Sequence, residues 1–160
     1  MPKPAPSTYD RALRLLGFRA RSAAELRRKL IQGGAEASDA EEVVERLRAQ
    51  KVLDDDLFAL NFARSKLVGS GASRRRVLQE LARKGVARDA SERALASLLE
   101  EEGVAPHRAI GRLVARKWQS LRGLDDVTRR RRLYAFLARR GFDPDEIRSA
   151  MSELGAEPDA

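Results

Sequence analysis

The residues whose type and spacing suit a chemistry in this 160-residue chain are its arginines and lysines, and that chemistry is anion recognition. They come in runs: Arg74, Arg75 and Arg76; Arg129, Arg130, Arg131 and Arg132; Arg139 and Arg140; Arg27 and Arg28, followed by Lys29. Lys84, Arg112, Arg116 and Lys117 lie between or beside them. A guanidinium presents a planar fork of donors that matches a phosphate or carboxylate. Two runs, 74–76 and 129–132, follow turn-forming stretches and are expected to open helices. Cations there oppose the helix dipole and repel one another, a cost that a bound anion removes. Arg27, Arg28, Arg139 and Arg140 fall near expected C-terminal ends, where the dipole favours them, so stability alone accounts for their placement.

Catalytic chemistry finds little to work with. There is no cysteine, hence no thiolate or disulfide, and the single histidine, His107, follows Pro106 at a helix start and is expected to be exposed. Asp54, Asp55 and Asp56 precede an apolar run, where carboxylates cap free N–H groups more readily than they gather a metal. Gly69-Ser70-Gly71 lacks the lysine-serine/threonine ending of a phosphate-binding loop. No catalytic residue, metal or cofactor is expected, and an enzyme is not. Phe58, Phe62, Trp118, Tyr134 and Phe142 follow the apolar periodicity and are expected in the core rather than as platforms for bases.

The elements that carry these side chains are helices. Alanine, leucine, arginine and glutamate dominate, aromatics are 5%, and few β-branched runs compete. No apolar stretch is long enough to span a membrane, which with the missing cysteines suits the cytoplasm. A repeat of about fifty residues is anchored on Gly34, Gly85 and Gly141. Around these glycines Leu26, Val77 and Leu133 align, as do Leu30, Leu81 and Leu137, then Ile31, Ala82 and Ala138. Beyond them come Ala35, Val86 and Phe142, then Val44, Leu95 and Met151, then Leu47, Leu98 and Leu154. Each repeat reads as helix, helix, glycine stop, helix. Ser22 with Glu25, Ser38 with Glu41, Asp89 with Glu92, and Asp143 before Pro144 read as helix starts. The expectation is an all-α chain of three tandem three-helix units, 8–53, 54–103 and 104–155, forming an elongated curved rod between short tails, 1–7 and 156–160.

Charge follows the repeat. Residues 1–35 carry net +6, 36–56 net −5, 63–88 net +7, 89–102 net −4, 103–142 net +9 and 143–160 net −5, leaving +8 overall. The first two helices of each repeat are therefore basic and the third acidic. Two readings stand: a positive stripe that follows phosphates or an acidic groove, or internal pairing of acidic third helices with basic neighbours.

Four stretches resemble the RecX family of regulatory proteins: ALRLLGFRARSAAELRRKL from Ala12 to Leu30, VLDDDLFA from Val52 to Ala59, Gly69 to Val86 ending in VLQELARKGV, and FLARRGF from Phe136 to Phe142. The resemblance covers residues 9 to 154. Val52 stands where the family has an aromatic, Leu57 where it has an arginine, and the turn from Ser70 to Ser73 departs from its pattern. The resemblance implies three tandem three-helix units and binding in the groove of a RecA–DNA filament. It further implies restraint of recombinase, ATPase and co-protease activities in DNA repair and the SOS response. The partners expected are the RecA filament and single- or double-stranded DNA without sequence preference, bound by a monomer, with no membrane. A free-standing DNA-binding helical protein is the alternative. The arginines recur in all three repeats rather than on one recognition helix, so sequence-specific reading is not expected.

Overall fold

The computed structural model describes residues 6–101 and 106–155, all helix and connecting turns. The helices are α1 Thr8–Phe18, α2 Ala23–Gln32, α3 Ala37–Ala49, α4 Asp55–Arg64, α5 Arg74–Arg83, α6 Arg88–Glu101, α7 Pro106–Ser120, α8 Asp126–Arg139 and α9 Pro144–Ser152. α4 runs on into a π turn, Ser65–Gly69, before the Gly69–Gly71 break. No helix among the described residues is long and apolar enough to cross a membrane.

The repeated glycines work as helix stops. Gly34, Gly85 and Gly141 have φ of 92°, 75° and 90°, a region that a Cβ disfavours. At each stop two backbone bonds close the helix end. Gly34 N–H donates to Ile31 and Ala35 N–H to Leu30, at 2.9 and 3.0 Å. Gly85 and Val86 do the same to Ala82 and Leu81, and Gly141 and Phe142 to Ala138 and Leu137. The aligned columns on either side of the glycine are thus the partners of one capping motif, in which an apolar residue beyond the glycine folds back on the helix. Leu26, Val77, Leu133, Leu30, Leu81 and Leu137 are all fully buried. Each such leucine contributes roughly 1.5–3 kcal/mol relative to exposure.

Helix starts are less uniform than expected. Ser22 with Glu25 and Asp143 with Glu146 form reciprocal capping boxes, the latter with Pro144 in the first turn. Ser7 does the same for α1 with Asp10. Ser38, however, lies inside the first turn of α3, which begins after Glu36 without a side-chain cap. Asp89 likewise lies within the first turn of α6, paired with Arg93 at 2.9 Å. In α9 the buried seam runs through Ile147 and Ala150, with Met151 and Leu154 only partly covered; the helix itself starts three residues after its glycine, in register with α3 and α6. Tyr134 is 39% exposed rather than core, whereas Phe58 is buried.

The chain packs into two bodies. The N-terminal body holds Met1–Phe62 with Glu80–Ala94; the C-terminal body holds Ala63–Gln79 with Leu95–Ala160. α5 and α6 are each divided between them. The core of the first includes Ala12, Leu26, Leu30, Ala40, Val44, Leu47 and Leu53. That of the second includes Ile110, Leu113, Val114, Leu121, Leu133, Leu137 and Ile147. The bodies differ in charge. The first has fifteen basic and thirteen acidic side chains, net +2; the second has seventeen and eleven, net +6.

Candidate polyanion interface

Each body contains a joint in which the start of one repeat's middle helix meets the end of the next repeat's middle helix. In the N-terminal body, Ser22 Oγ donates to the Lys84 carbonyl at the end of α5 while accepting from Glu25 N–H at 3.2 Å. Arg28 reaches the Arg83 carbonyl at 3.4 Å. Ala24 lies where a Cβ on Gly85 would come, 2.4 Å away, so the glycine permits the approach as well as the turn. In the C-terminal body, Ser73 N–H donates to the Arg140 carbonyl at 2.9 Å. Arg76 donates to the Arg139 carbonyl, and Arg75 to that of Gly141 at 3.1 Å. A Cβ on Gly141 would fall 2.8 Å from Arg76 Cβ and 2.9 Å from Ser73 Oγ. In both joints, orphan carbonyls at a helix end receive donors from the adjoining helix start.

The joints are neutralised differently. In the first, the Glu25 carboxylate takes Lys84 at 3.2 Å and Arg19 at 3.2 Å. Burial opposes its ionisation, but the hydrogen bonds from Arg19 and Lys84 outweigh it and hold the carboxyl below its ordinary pKa. In the second, the side chains at the contact are arginines. The Arg140 guanidinium lies over Phe136, 3.7 Å from the ring centroid, and donates to the Ser70 carbonyl at 3.3 Å. Burial, then the charges of Arg139, Arg116 and Arg76, push its pKa below the usual guanidinium value. It stays charged at any ordinary pH, so four cations share one neighbourhood.

The candidate residues therefore divide. Arg27 is paired with Glu41 at 2.6 Å, Lys84 with Glu25, and Arg130 with Asp126 at 2.8 Å. Arg28, Arg75 and Arg76 hold carbonyls at the joints. Arg129 is folded inward: it stacks 3.7 Å from the Trp118 centroid and donates to the Trp118 carbonyl. Its Nε is buried without a partner among the described residues. Lys117 lies 5.1 Å from the Phe136 centroid. Arg74, Arg112, Arg116, Arg131, Arg132 and Arg139 are exposed, with no side-chain hydrogen bond or ion pair to another described residue. All six belong to the C-terminal body. The expected helix-opening role holds for Arg74–Arg76, at the first residues of α5. It fails for Arg129–Arg132, which follow a start capped by Asp125 onto Thr128 N–H at 2.9 Å and carrying Asp126. Those two acids offset the dipole conflict.

The aspartate block is structural. Asp54 accepts from Leu57 N–H at 3.0 Å, capping α4. Asp55 accepts from Ala23 N–H at 2.8 Å and from Arg48, tying α4 to the start of α2. Asp56 pairs with Arg93 at 3.0 Å. Local spacing predicts the first of these; Asp55 to Ala23 and Asp56 to Arg93 bridge residues over thirty positions apart and leave no local signal. The His107 side chain lies outside the described residues, as do the tails beyond 6 and 155.

Comparison with known proteins agrees with the repeat. Models of the first, second and third three-helix domains of RecX match residues 9–47, 54–95 and 109–151. The Regulatory protein RecX of Pelodictyon phaeoclathratiforme is 39% identical, covering 97% of this chain and 95% of that one. That of Mycobacterium ulcerans is 37% identical over 96% and 91%. The crystal structure of RecX from Lactobacillus salivarius superposes with a TM-score of 0.74 at 19% identity, over 94% of this chain and 96% of that one, which speaks to the fold. With these matches spanning nearly all of its length, the chain belongs to the RecX family of regulatory proteins.

Proposed function

We propose that this protein is a non-enzymatic cytoplasmic regulator that binds the RecA recombinase filament on DNA as a monomer. Binding inhibits the filament's recombinase, ATPase and co-protease activities and so tempers recombinational repair and the SOS response. Family membership supports the partner. The observation that carries the contact chemistry is the concentration of positive charge in the C-terminal body, net +6 against +2 in the other. There, Arg116, Arg139 and Arg140 crowd together with Arg76, and Arg74, Arg112, Arg131 and Arg132 stand exposed. Assembling like charges costs energy that a polyanion returns, and guanidinium–phosphate contacts of this kind carry no sequence preference.

The test is steady-state ATP hydrolysis by the cognate RecA on single-stranded DNA, with a DNA-only binding control. Inhibition at protein concentrations too low to coat the DNA is the expected result. Salt-sensitive DNA binding with no effect on the filament supports instead the second reading, a free-standing and sequence-independent DNA-binding protein, which the same arginines favour.

A further inference from the structure

The N-terminal body has a feature that phosphate binding does not use. A cleft of about 280 Å³ lies between the end of α1 and the corner joining α3 to α4. Leu16 and Phe58 form its floor, and Val52 and Leu57 its open wall, 50% and 56% exposed. Such a wall of aliphatic side chains is uncommon on a surface with this much charge. It offers no aromatic face to a base, since Phe58 is buried and stacked on Phe62 at 6.0 Å.

The corner is built in a way that keeps this wall open. α3 ends in the same motif as the glycine stops, with Val52 N–H donating to Leu47 and Lys51 N–H to Arg48, both at 3.0 Å. The equivalent apolar residues after the glycine stops, Ala35, Val86 and Phe142, are covered or partly covered, whereas Val52 is left half in solvent. The left-handed position is held by Lys51, at φ 58°, the one non-glycine with positive φ among the described residues. A side chain kept where the backbone favours glycine is strain of the kind that accumulates at working surfaces.

Charge decides what fits. Asp54 also lines the cleft, its carboxylate turned onto Leu57 N–H, so the lining carries two cations against one acid. The lysine of Lys51 and the guanidinium of Arg21, which anchors itself through Nε to the Leu15 carbonyl at 3.3 Å, remain at the rim. We infer that this cleft is a polypeptide-docking site, taking an aliphatic or aromatic side chain of the recombinase that is flanked by Asp or Glu. The inference rests on the proposed filament reading and assigns the protein-facing contact to the N-terminal body.

The experiment places a photo-crosslinker in the full-length chain, Leu57→p-benzoylphenylalanine, and irradiates it with the cognate recombinase on single-stranded DNA. Leu57→Arg and Lys51→Glu are assayed for inhibition in parallel, with thermal melts. Expected are an adduct on an acid-flanked apolar segment of the recombinase, its loss when Lys51→Glu is added, and about a tenfold higher concentration for half-inhibition in either variant at unchanged melting temperature. Adducts only to DNA or to a second copy of this chain overturn the inference, as do variants that inhibit like the parent; the filament reading then stands without it. A parent protein that leaves hydrolysis untouched overturns both.

Discussion

The two joints solve one packing problem with opposite electrostatics. At Ser22–Lys84 an acid in the first turn of α2 meets a lysine at the end of α5, so both charges agree with their helix dipoles and with each other. At Ser73–Arg140 the first turn of α5 is Arg74, Arg75 and Arg76, and the helix end it meets is Arg139 and Arg140. There the carbonyls of Arg139 and Gly141 take two guanidiniums, Arg140 folds onto Phe136, and Arg74 and Arg139 face solvent. The difference teaches that a repeat can keep its backbone geometry while one copy neutralises the charge at its joint and another gathers cations there.

The glycines give the largest expected effects. Gly85→Ala should cost about 2–4 kcal/mol, from left-handed strain plus overlap with Ala24. Gly141→Ala should cost nearly as much, against Arg76 and Ser73. Gly34→Ala, which meets nothing within 4 Å, should cost only about 1–2 kcal/mol for the backbone alone. Denaturant melts that rank Gly34 with the other two would break the claim that the joints are tight contacts.

Serine truncation comes next. Ser22→Ala removes a buried hydroxyl that both accepts from Glu25 N–H and donates to Lys84, for about 1.5–3 kcal/mol. Ser73→Ala loses the cap to Arg76 N–H but keeps its backbone bond to Arg140, for about 1 kcal/mol. Equal losses in thermal melts would show that the joints are not held as described.

Charge reversal sharpens the functional side. Arg131→Glu with Arg132→Glu should raise the concentration for half-inhibition of RecA ATP hydrolysis several-fold at an unchanged melting temperature, since surface changes of this kind lie within about 0.5 kcal/mol. Arg76→Glu should raise that concentration and also lower the melting temperature, because its guanidinium holds the end of α8. If the two variants behave alike, the division between joint arginines and exposed arginines is wrong.

The smallest effect is in pH. Glu25 has its pKa below the ordinary 4.5, so its contribution is complete above that value and is lost as pH falls through the lower, folded one. Acid should therefore loosen the first joint, and Glu25→Gln should flatten the dependence of the melting temperature below about pH 4.5. At the second joint Arg140 is surrounded by the cations Arg139, Arg116 and Arg76, so that joint should respond less to acid over the same range.

Much of this was legible in the chain. The glycine columns identified the three helix stops because a left-handed cap fixes both the glycine and the apolar partners three and four positions before it, all within eight residues. Capping at Ser22 and Asp143 was legible for the same reason. Ser38 and Asp89 misled because a serine or aspartate within a first turn carries the same local pattern as one before it. The arginine runs were plain in the chain, but they did not say which members would face solvent. Arg129 turns onto Trp118 and Arg76 onto a carbonyl sixty-three residues away, and no local spacing encodes either.

By itself, then, the sequence determined the helices, their stops, the three-fold repeat and the net charge, because these depend on period, propensity and backbone strain over a few neighbouring residues. Tertiary structure alone decided which serine meets which carbonyl, which aspartate of the Asp54–Asp56 block caps its own helix and which a distant one, and which of the arginine-run members are left without an ion pair among the described residues. Those outcomes depend on where separate helices come to lie, and a guanidinium is neutralised by whatever acceptor reaches it first in space rather than in sequence.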